Sequence, residues 1–280
     1  MTWPLRNPFA LLILATLLVC SVVLPAYGFA AALKLGGTGT DLGVMRIMAD
    51  AFQKRSTGMM IDIQPSVGSA GGISAVLAGA LDIAISSRPL KAEERALGAR
   101  EWTYAKTPLV FATDQKSPQT QLTSAEIIGI YDGTVTQWRN GAAVRIILRP
   151  ETDADTVILE KNIPGMDAAM KKAYQRRGPP IAMTDQNAAD KIQMIAGAVG
   201  PSTLALIIGE NRPLKALVFN GIAPTVENIA NGTYPMTKSL YLVTGPHPRA
   251  ETQHFIDFMR SREGAAILRR TGHLVLAPNK

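Results

Sequence analysis

Beyond residue 31, short apolar runs alternate with segments whose apolar residues recur every three or four positions. The first pattern predicts β-strands and the second predicts amphipathic helices, so their alternation indicates an α/β architecture. Strands are predicted at 33–35, 60–64 and 81–85, and each leads into a loop rich in Gly, Ser and Thr. After the first loop, Leu42, Met45, Met48 and Phe52 share one helical face.

The remainder of the chain continues the same alternation. Further strands are predicted at 108–113, 144–148, 203–208, 214–218 and 239–243, and 200–203 is interpreted as a turn. Further helices are predicted over 156–161, 167–176, 188–195, 251–260 and 263–270. The polar segment 114–120 interrupts the pattern and is interpreted as a crossing between two lobes.

The N-terminal segment has a different composition. Residues 1–30 carry a single charge, Arg6, and an uncharged apolar run at 9–24 that is shorter than the roughly 20 residues of a membrane span. Pro25 and small residues follow, which predicts a signal peptide over 1–30 that is cleaved near 28–31 and directs the protein to the periplasm. An uncleaved anchor and a lipoprotein acylated at Cys20 remain alternatives.

Composition narrows the functional classes. A chain of 280 residues with 47% hydrophobic and 18% charged residues is too apolar to be disordered. Its single cysteine, Cys20, lies in the signal segment, which excludes disulfides, thiolate metal sites and a cysteine nucleophile from the mature chain. The net charge of +7 comes from scattered basic residues, which gives nucleic-acid binding little support, although it can steer an anionic ligand.

The Gly-rich loops are the first candidates for a binding site. Backbone N–H groups in such loops converge on an anion at the N-terminus of the following helix. The loops 39–41 and 69–72 have this form, and 86–88 lies at a third strand end, although each loop alone is also ordinary turn chemistry. Open α/β sheets bind ligands at the carboxyl ends of their strands. The candidate ligand-binding residues of these loops are Thr40, Asp41, Ser69, Gly71, Ser87 and Arg88.

An ordered set of segments resembles a known family. GGTGTDLGVMRIMADAF, PSVGSAGGISAVLAGALDIAISSRPLKAEE and LTSAEIIGIYDGTVTQWRNG are similar to the phosphate-binding-protein-like group of periplasmic solute-binding proteins, over about 33–275. The resemblance implies a two-lobed periplasmic binding protein fold, each lobe a mixed sheet flanked by helices, joined by two crossing strands. We expect lobe one at 31–112 and 238–280, and lobe two at 113–237.

The resemblance also implies a function. Such a protein captures a small solute, here phosphate or a related oxyanion, between its lobes and delivers it to an ABC transporter. We therefore expect an anionic solute and a membrane permease or receptor as partners, a monomer, and no cofactor, metal or nucleic acid. A ligand-sensing or interaction module of the same fold, feeding a membrane receptor, is the alternative.

An enzyme is the less favoured reading. The three histidines, His247, His254 and His273, all lie outside the Gly/Ser loops, without close metal-ligand spacing. Each is interpreted as a solvated or helix-capping residue. The serines of the Gly-rich loops lack a G-x-S-x-G elbow with a fitting base.

Carried over by position, the ligand loops of the family fall on Thr40, Asp41, Ser69, Ser87 and the segment 149–156. Two departures from the family pattern concern charge. Phosphate binders carry an aspartate at the position of Ser87. In phosphate binders a Ser-Gly-Thr cradle also follows the arginine at the position of Arg149. In this chain the sequence there is ETDADT.

The acidic loop bears directly on the charge of the ligand. Glu151, Asp153 and Asp155 bring three formal negative charges to a loop expected to receive an anion. One like-charge contact at about 4 Å costs about 4 kcal/mol at an effective dielectric constant near 20. Arg149 and Asp153 are the candidate ligand residues of this segment, and whether the carboxylates of 151–155 face the ligand is left open. A cap on the following helix is the alternative role for Asp155. The stretch 184–187 is interpreted as a helix N-cap, which by the family layout would face the cleft.

Overall fold

The computed structural model describes residues 32–56 and 58–276. The signal peptide predicted for residues 1–30 lies outside the described residues. Among the helices that are described, none is long and apolar enough to span a membrane.

The first part of the chain forms a parallel sheet covered by helices. Its strands are β1 (Leu33–Gly37), β2 (Ile61–Ser66) and β3 (Ile83–Ser86), and its helices are α1 (Leu42–Arg55), α2 (Gly68–Leu77) and α3 (Ala92–Ala96). β1 pairs in parallel with both β2 and β3. A 3-10 turn over Gly39–Asp41 connects β1 to α1. The carboxyl ends of the three strands therefore lie together at one edge of the sheet.

Two long strands cross the middle of the molecule. β4 (Arg100–Asp114) and β10 (Thr237–Thr244) pair in antiparallel fashion, and β10 also pairs with β3. The second half of β4 pairs with β7 (Ala198–Thr203). The described strands consequently run in the order β2-β1-β3-β10-β4-β7, followed by β6 (Arg145–Ile146).

The middle of the chain contributes the remaining helices and short strands. The helices are α4 (Ser124–Asp132), α5 (Ala154–Asn162), α6 (Met166–Gln175), α7 (Asp185–Met194), α8 (Leu204–Gly209) and α9 (Val226–Ala230). The strands are β5 (Gln121–Leu122), β8 (Leu214–Ala216) and β9 (Val218–Phe219). After β10 the chain continues into α10 (Ala250–Arg260), α11 (Arg262–Arg270) and β11 (Leu274–Val275), and β11 pairs with β4.

The buried apolar side chains form separate cores on the two sides of the crossing strands. One cluster draws its residues from 33–105 and 240–268 and includes Leu35, Met48 and Phe255. The largest other cluster draws on 109–236 and includes Phe111 and Tyr131. This α/β architecture agrees with the sequence-based prediction. The lobe boundaries at 112/113 and 237/238 stay a prediction.

Glycines permit two close backbone approaches near the strand ends. Gly37 has φ +127°, and α2 packs so tightly on β1 that a Cβ at Gly72 would lie 2.7 Å from the Gly37 Cα. Helices α1 and α8 meet in the same way, because a Cβ at Gly43 would lie 2.9 Å from the backbone of Gly209. A larger residue at Gly43 or Gly72 would push the packed elements apart.

The structure corrects two predicted elements. The apolar run at 203–208 is the helix α8 rather than a strand, and Gly200–Thr203, predicted as a turn, forms the end of β7. The five apolar residues at 204–208 have no period that separates a buried strand from a short helix. Thr203 decides the outcome locally, because its hydroxyl caps the helix by accepting a hydrogen bond from the Leu206 N–H.

Candidate functional site

A cleft of about 600 Å³ opens at the carboxyl ends of β1 and β3. One wall consists of Thr38, the loop before α2, and Ser87 with Arg88. The opposite wall consists of the loop after Arg149, the first turn of α5, the start of α7 and Lys238. The cleft thus brings together segments from 38 to 238, which places the sequence-predicted residues Ser69, Ser87, Arg149 and Asp153 around one space.

Three hydroxyl groups are linked by hydrogen bonds along the first wall. The Ser87 hydroxyl donates to Thr38 Oγ1 at 3.0 Å, and the Ser87 N–H donates to Ser69 Oγ at 2.9 Å. Thr38 and Thr40 follow β1, and their hydroxyls lie 3.3 Å apart. Both threonines are buried. The strand ends therefore present a row of short polar side chains to the cleft, as the Gly-rich loops predicted.

Arg149 contributes a buried cation to the second wall. Its side chain is 3% exposed, Nη1 donates to the Ala182 carbonyl at 2.9 Å, and Nη2 donates to Asp153 Oδ2 at 2.7 Å. Nε lies 3.6 Å from Asp155 Oδ2 and makes no hydrogen bond. Asp153, rather than Asp155, caps α5, because its Oδ1 accepts from the Asp155 N–H. The alternative in which Asp155 is the cap is therefore wrong.

Lys238 is a second buried cation, and sequence reasoning missed it. It lies on the crossing strand β10 with its side chain 1% exposed. Its Nζ lies 2.6 Å from Asp155 Oδ1, 2.8 Å from Thr40 Oγ1 and 3.3 Å from Asp185 Oδ1. Thr40 and Asp185 accept hydrogen bonds from the ammonium group, whereas Asp155 Oδ1 forms an ion pair with it and makes no hydrogen bond.

Asp185 faces the cleft at the first residue of α7. Its Oδ1 accepts from Thr40 Oγ1 at 3.1 Å, and its Oδ2 accepts from Thr38 Oγ1 at 3.3 Å. Arg149 Nη2 lies 3.8 Å from Oδ2. Thr184 carries out the capping predicted for 184–187, since its hydroxyl accepts from the Asn187 N–H.

We call Arg149, Asp153, Asp155, Asp185 and Lys238 the ion cluster. The cluster contains the carboxylates of three aspartates and two cations, the Arg149 guanidinium and the Lys238 ammonium. Burial, helped by repulsion from Asp153 and Asp185, raises the pKa of Asp155 to about 6 against the attraction of Lys238. Burial also acts to raise the pKa of Asp185, but Lys238 and Arg149 outweigh it and hold this pKa below its usual value.

The pKa of Lys238 shifts in the opposite direction to that of Asp185. Burial acts to lower the pKa of Lys238, but the attraction of Asp155 and Asp185 exceeds it and raises the pKa of the lysine. Lys238 and Asp185 are therefore both charged near neutral pH, whereas Asp155 titrates close to it. No group of three His, Cys, Asp or Glu side chains within the described ranges is arranged to hold a metal ion.

Asp41, a predicted ligand residue, points away from the cleft. Its carboxylate accepts a hydrogen bond from the Tyr104 hydroxyl at 2.5 Å and lies 2.9 Å from His273 Nε2. The Nδ1 of His273 lies 3.0 Å from the Leu268 carbonyl. Burial acts to lower the pKa of His273, but the attraction of Asp41 prevails and raises it. His273 is fully buried, so the prediction of a solvated histidine is wrong for this residue. The helix-capping alternative is confirmed, because the ring contacts the Leu268 carbonyl in the last turn of α11.

The other predicted residues lie close to the cleft in supporting positions. Thr40 is fully buried beneath it and contacts the ion cluster. Arg88 lies on the rim, and its guanidinium makes two hydrogen bonds with Glu94, at 2.7 and 2.8 Å. These bonds lower the pKa of Glu94 to about 2. Gly71 lies inside α2, where a Cβ would meet Val67 at 3.0 Å.

Comparison with known proteins identifies the family. The model of the PBP superfamily domain matches residues 27–263, and the chain belongs to this family. The fold is accordingly the two-lobed periplasmic binding protein fold, in which two crossing strands join mixed sheets flanked by helices.

Two curated proteins and one solved structure are similar to this chain over most of its length. The phosphate-binding protein PstS of Borreliella burgdorferi is 25% identical over 250 residues, covering 86% of this chain and 88% of its own. The protein SphX of Synechococcus elongatus is 26% identical over 252 residues, covering 81% and 73%. A structure from Clostridium perfringens of a phosphate ABC transporter substrate-binding protein with bound phosphate has a TM-score of 0.74 at 23% identity, covering 88% of this chain and all of that one.

Proposed function

We propose that the protein is a periplasmic solute-binding protein that captures phosphate or a related oxyanion in the cleft and delivers it to an ABC transporter. One observation carries the proposal. Donors from both walls, Thr38 and Thr40 on one side and Lys238 with Arg149 on the other, converge on a single carboxylate, that of Asp185. A carboxylate is itself an oxyanion, so these contacts support an oxyanion as the solute of this pocket.

The proposed mechanism is capture without covalent chemistry. Preorganised hydroxyl and cationic donors replace the hydration shell of the solute, and closure of the lobes about the crossing strands completes the site. The proposed ligand residues are Thr38, Ser69, Ser87 and Arg149, with Lys238 and Thr40 beneath them. Transport is preferred to sensing because the relatives named above include a phosphate ABC transporter substrate-binding protein. In this proposal residues 1–30 direct export and are then removed, and the protein acts as a monomer.

A thermal-shift panel tests the proposal. The purified protein is heated with phosphate, sulfate, acetate, lysine or Mg²⁺. A solute at 100 times its dissociation constant adds about 2.7 kcal/mol of stability, which is visible as a raised midpoint. We expect phosphate or sulfate to raise the midpoint and lysine and Mg²⁺ to leave it unchanged. A shift with the cations alone, or with no member of the panel, would contradict the proposal.

A further inference from the structure

Asp185 holds contacts that no local role requires. An acidic residue in the first turn of a helix is favoured by the helix dipole, and such a residue ordinarily stays near its own backbone. Here Thr184 caps the helix, and the Asp185 carboxylate reaches across the cleft to Thr38 and Thr40. The function of Asp185 therefore lies in the cleft rather than in the helix.

The start of α7 is held in this position from a second side. Gln186 Nε2 donates to the Gly39 carbonyl at 2.8 Å and to Glu210 Oε1 at 2.7 Å. A Cβ at Gly39 would lie 3.0 Å from the Asp185 Cβ, so the turn after β1 has room for α7 only because residue 39 is glycine. Both α7 and the turn after β1 therefore hold Asp185 beside the Thr38 and Thr40 hydroxyls.

The lysine and threonine donors beneath the pocket face protein acceptors in this arrangement, whereas Arg149 Nε makes no hydrogen bond. The three donors of Lys238 face Asp155, Thr40 and Asp185, and the Thr40 hydroxyl donates to Asp185. The ion cluster already carries one more carboxylate than it has cations. An added anion would meet a negative cluster whose lysine and threonine donors are already engaged, and like charges at such distances repel strongly.

We infer that Asp185 is an internal competitor of the solute, a specificity-determining carboxylate that a bound oxyanion must displace from Thr38, Thr40 and Lys238. This inference rests on the proposed function. Since Asp185 stays charged, an incoming anion must replace several hydrogen bonds and an ion pair at once. A tetrahedral dianion with several acceptor oxygens meets that requirement, whereas a small monocarboxylate only reproduces what Asp185 already supplies.

Substitution of the carboxylate by its amide tests the inference. Asp185→Asn keeps the size of the side chain, removes its charge, and leaves two carboxylates balancing two cations. Asp190→Asn is the matched control, because Asp190 lies on the same helix, is half-exposed and pairs with Arg212 outside the cleft. Phosphate binding to wild type and variants is measured by calorimetry at pH 7.

The expected result is phosphate affinity at least about tenfold higher in Asp185→Asn, with Asp190→Asn indistinguishable from wild type. Asp185→Ser, which suits the start of a helix, serves if the amide variant does not fold, and it should show the same gain. If the folded variant bound phosphate no more tightly than wild type, the inference would be overturned. Tight phosphate binding by wild type would still support the proposed function. Absence of phosphate and sulfate binding in all of these proteins would overturn both.

Discussion

Lys238 Nζ lies 2.6 Å from the Asp155 carboxylate, and both side chains are 1% exposed. The two residues join the crossing strand β10 to the start of α5, so the pair lies where the two lobes meet. Desolvation of two such charges costs several kcal/mol, and an ion pair recovers this cost only with additional partners. Thr40 and Asp185 supply them for the lysine. The pair therefore belongs to a buried polar cluster beneath the cleft rather than to an ordinary hydrophobic core.

The first prediction concerns the pH dependence of anion binding. Asp155 has a pKa of about 6, so it is protonated below that pH and adds a negative charge to the ion cluster above it. Anion binding favours the protonated form, and affinity should therefore fall as the pH rises from 5 to 8. Sulfate is the suitable probe because it does not titrate in this range. Calorimetric titrations at several pH values should show the loss.

The control for this experiment is Asp155→Asn. The amide cannot ionise, so the sulfate affinity of the variant should be nearly independent of pH over the same range. A variant with the same pH profile as the wild type would assign the titration to another group. Far-UV circular dichroism checks that the variant is folded.

The second prediction concerns the hydroxyl groups of Ser87 and Thr38. Ser87→Ala removes a donor to Thr38 without altering the backbone contact to Ser69, and loss of one such hydrogen bond costs about 1 kcal/mol. Oxyanion affinity should weaken about five- to tenfold, with a small change in melting temperature. Ser202→Ala is the control, because Ser202 is a buried serine whose hydroxyl makes no hydrogen bond. Equal effects of the two substitutions would place the solute away from Ser87.

The third prediction concerns stability and the buried pair of His273 with Asp41. The folded pKa of His273 is raised above its unfolded value of about 6.5. The pair therefore stabilises the fold fully below that pH, and the contribution is lost as the pH rises through the folded pKa. His273→Gln should destabilise the protein by about 3–5 kcal/mol at pH 6 and by less at high pH.

Chemical denaturation of wild type and variant between pH 6 and 9 measures this difference. The groups that contact the His273 ring are Asp41, Thr271 and the Leu268 carbonyl, and Tyr104 contacts Asp41. His254→Gln, a substitution of an exposed histidine, is the control. A stability gap between wild type and His273→Gln that did not depend on pH would mean that folding leaves the pKa of His273 unchanged, which would contradict the pair.

The fourth prediction concerns the contact between α1 and α8. A Cβ at Gly43 would lie 2.5 Å from the Glu210 Cγ and 2.9 Å from the Gly209 backbone. Gly43→Ala should therefore separate the helices, open the cleft and lower the melting temperature. Small-angle X-ray scattering should show a larger radius of gyration. Arg46→Ala, on the exposed face of α1, is the control and should leave the melting temperature and the radius of gyration unchanged. If Gly43→Ala also left them unchanged, the close approach of α1 and α8 would be contradicted.

Much of the fold is predictable because it depends on local patterns. The alternation of apolar strands with helical periods, and the loops that follow β1 and β3, specify an α/β sheet with polar side chains at its edge. The Gly-rich loops predicted Ser69 and Ser87 as site residues, and the family resemblance added Arg149. The stretch 200–208 was misassigned, because its apolar run fits either element and the Thr203 cap decides between them.

The ion cluster was less predictable because its members are distant in the sequence. Lys238 lies 53 residues from Asp185 and has no distinguishing neighbours, and its importance follows only from burial beside two carboxylates. Asp185 resembled an ordinary first-turn acid until its contacts with Thr38 and Thr40 were known. Asp41 shows the converse, since a carboxylate in a Gly-rich loop turned towards Tyr104 and a histidine 232 residues away.

The most direct test of the central claim is a crystal structure of the protein grown with saturating phosphate. The account predicts one tetrahedral anion in the cleft within hydrogen-bond distance of Thr38, Ser87 and Arg149, with the Asp185 carboxylate displaced from the threonines. Density elsewhere, or a cleft in which Asp185 keeps its contacts and no anion is bound, would contradict it.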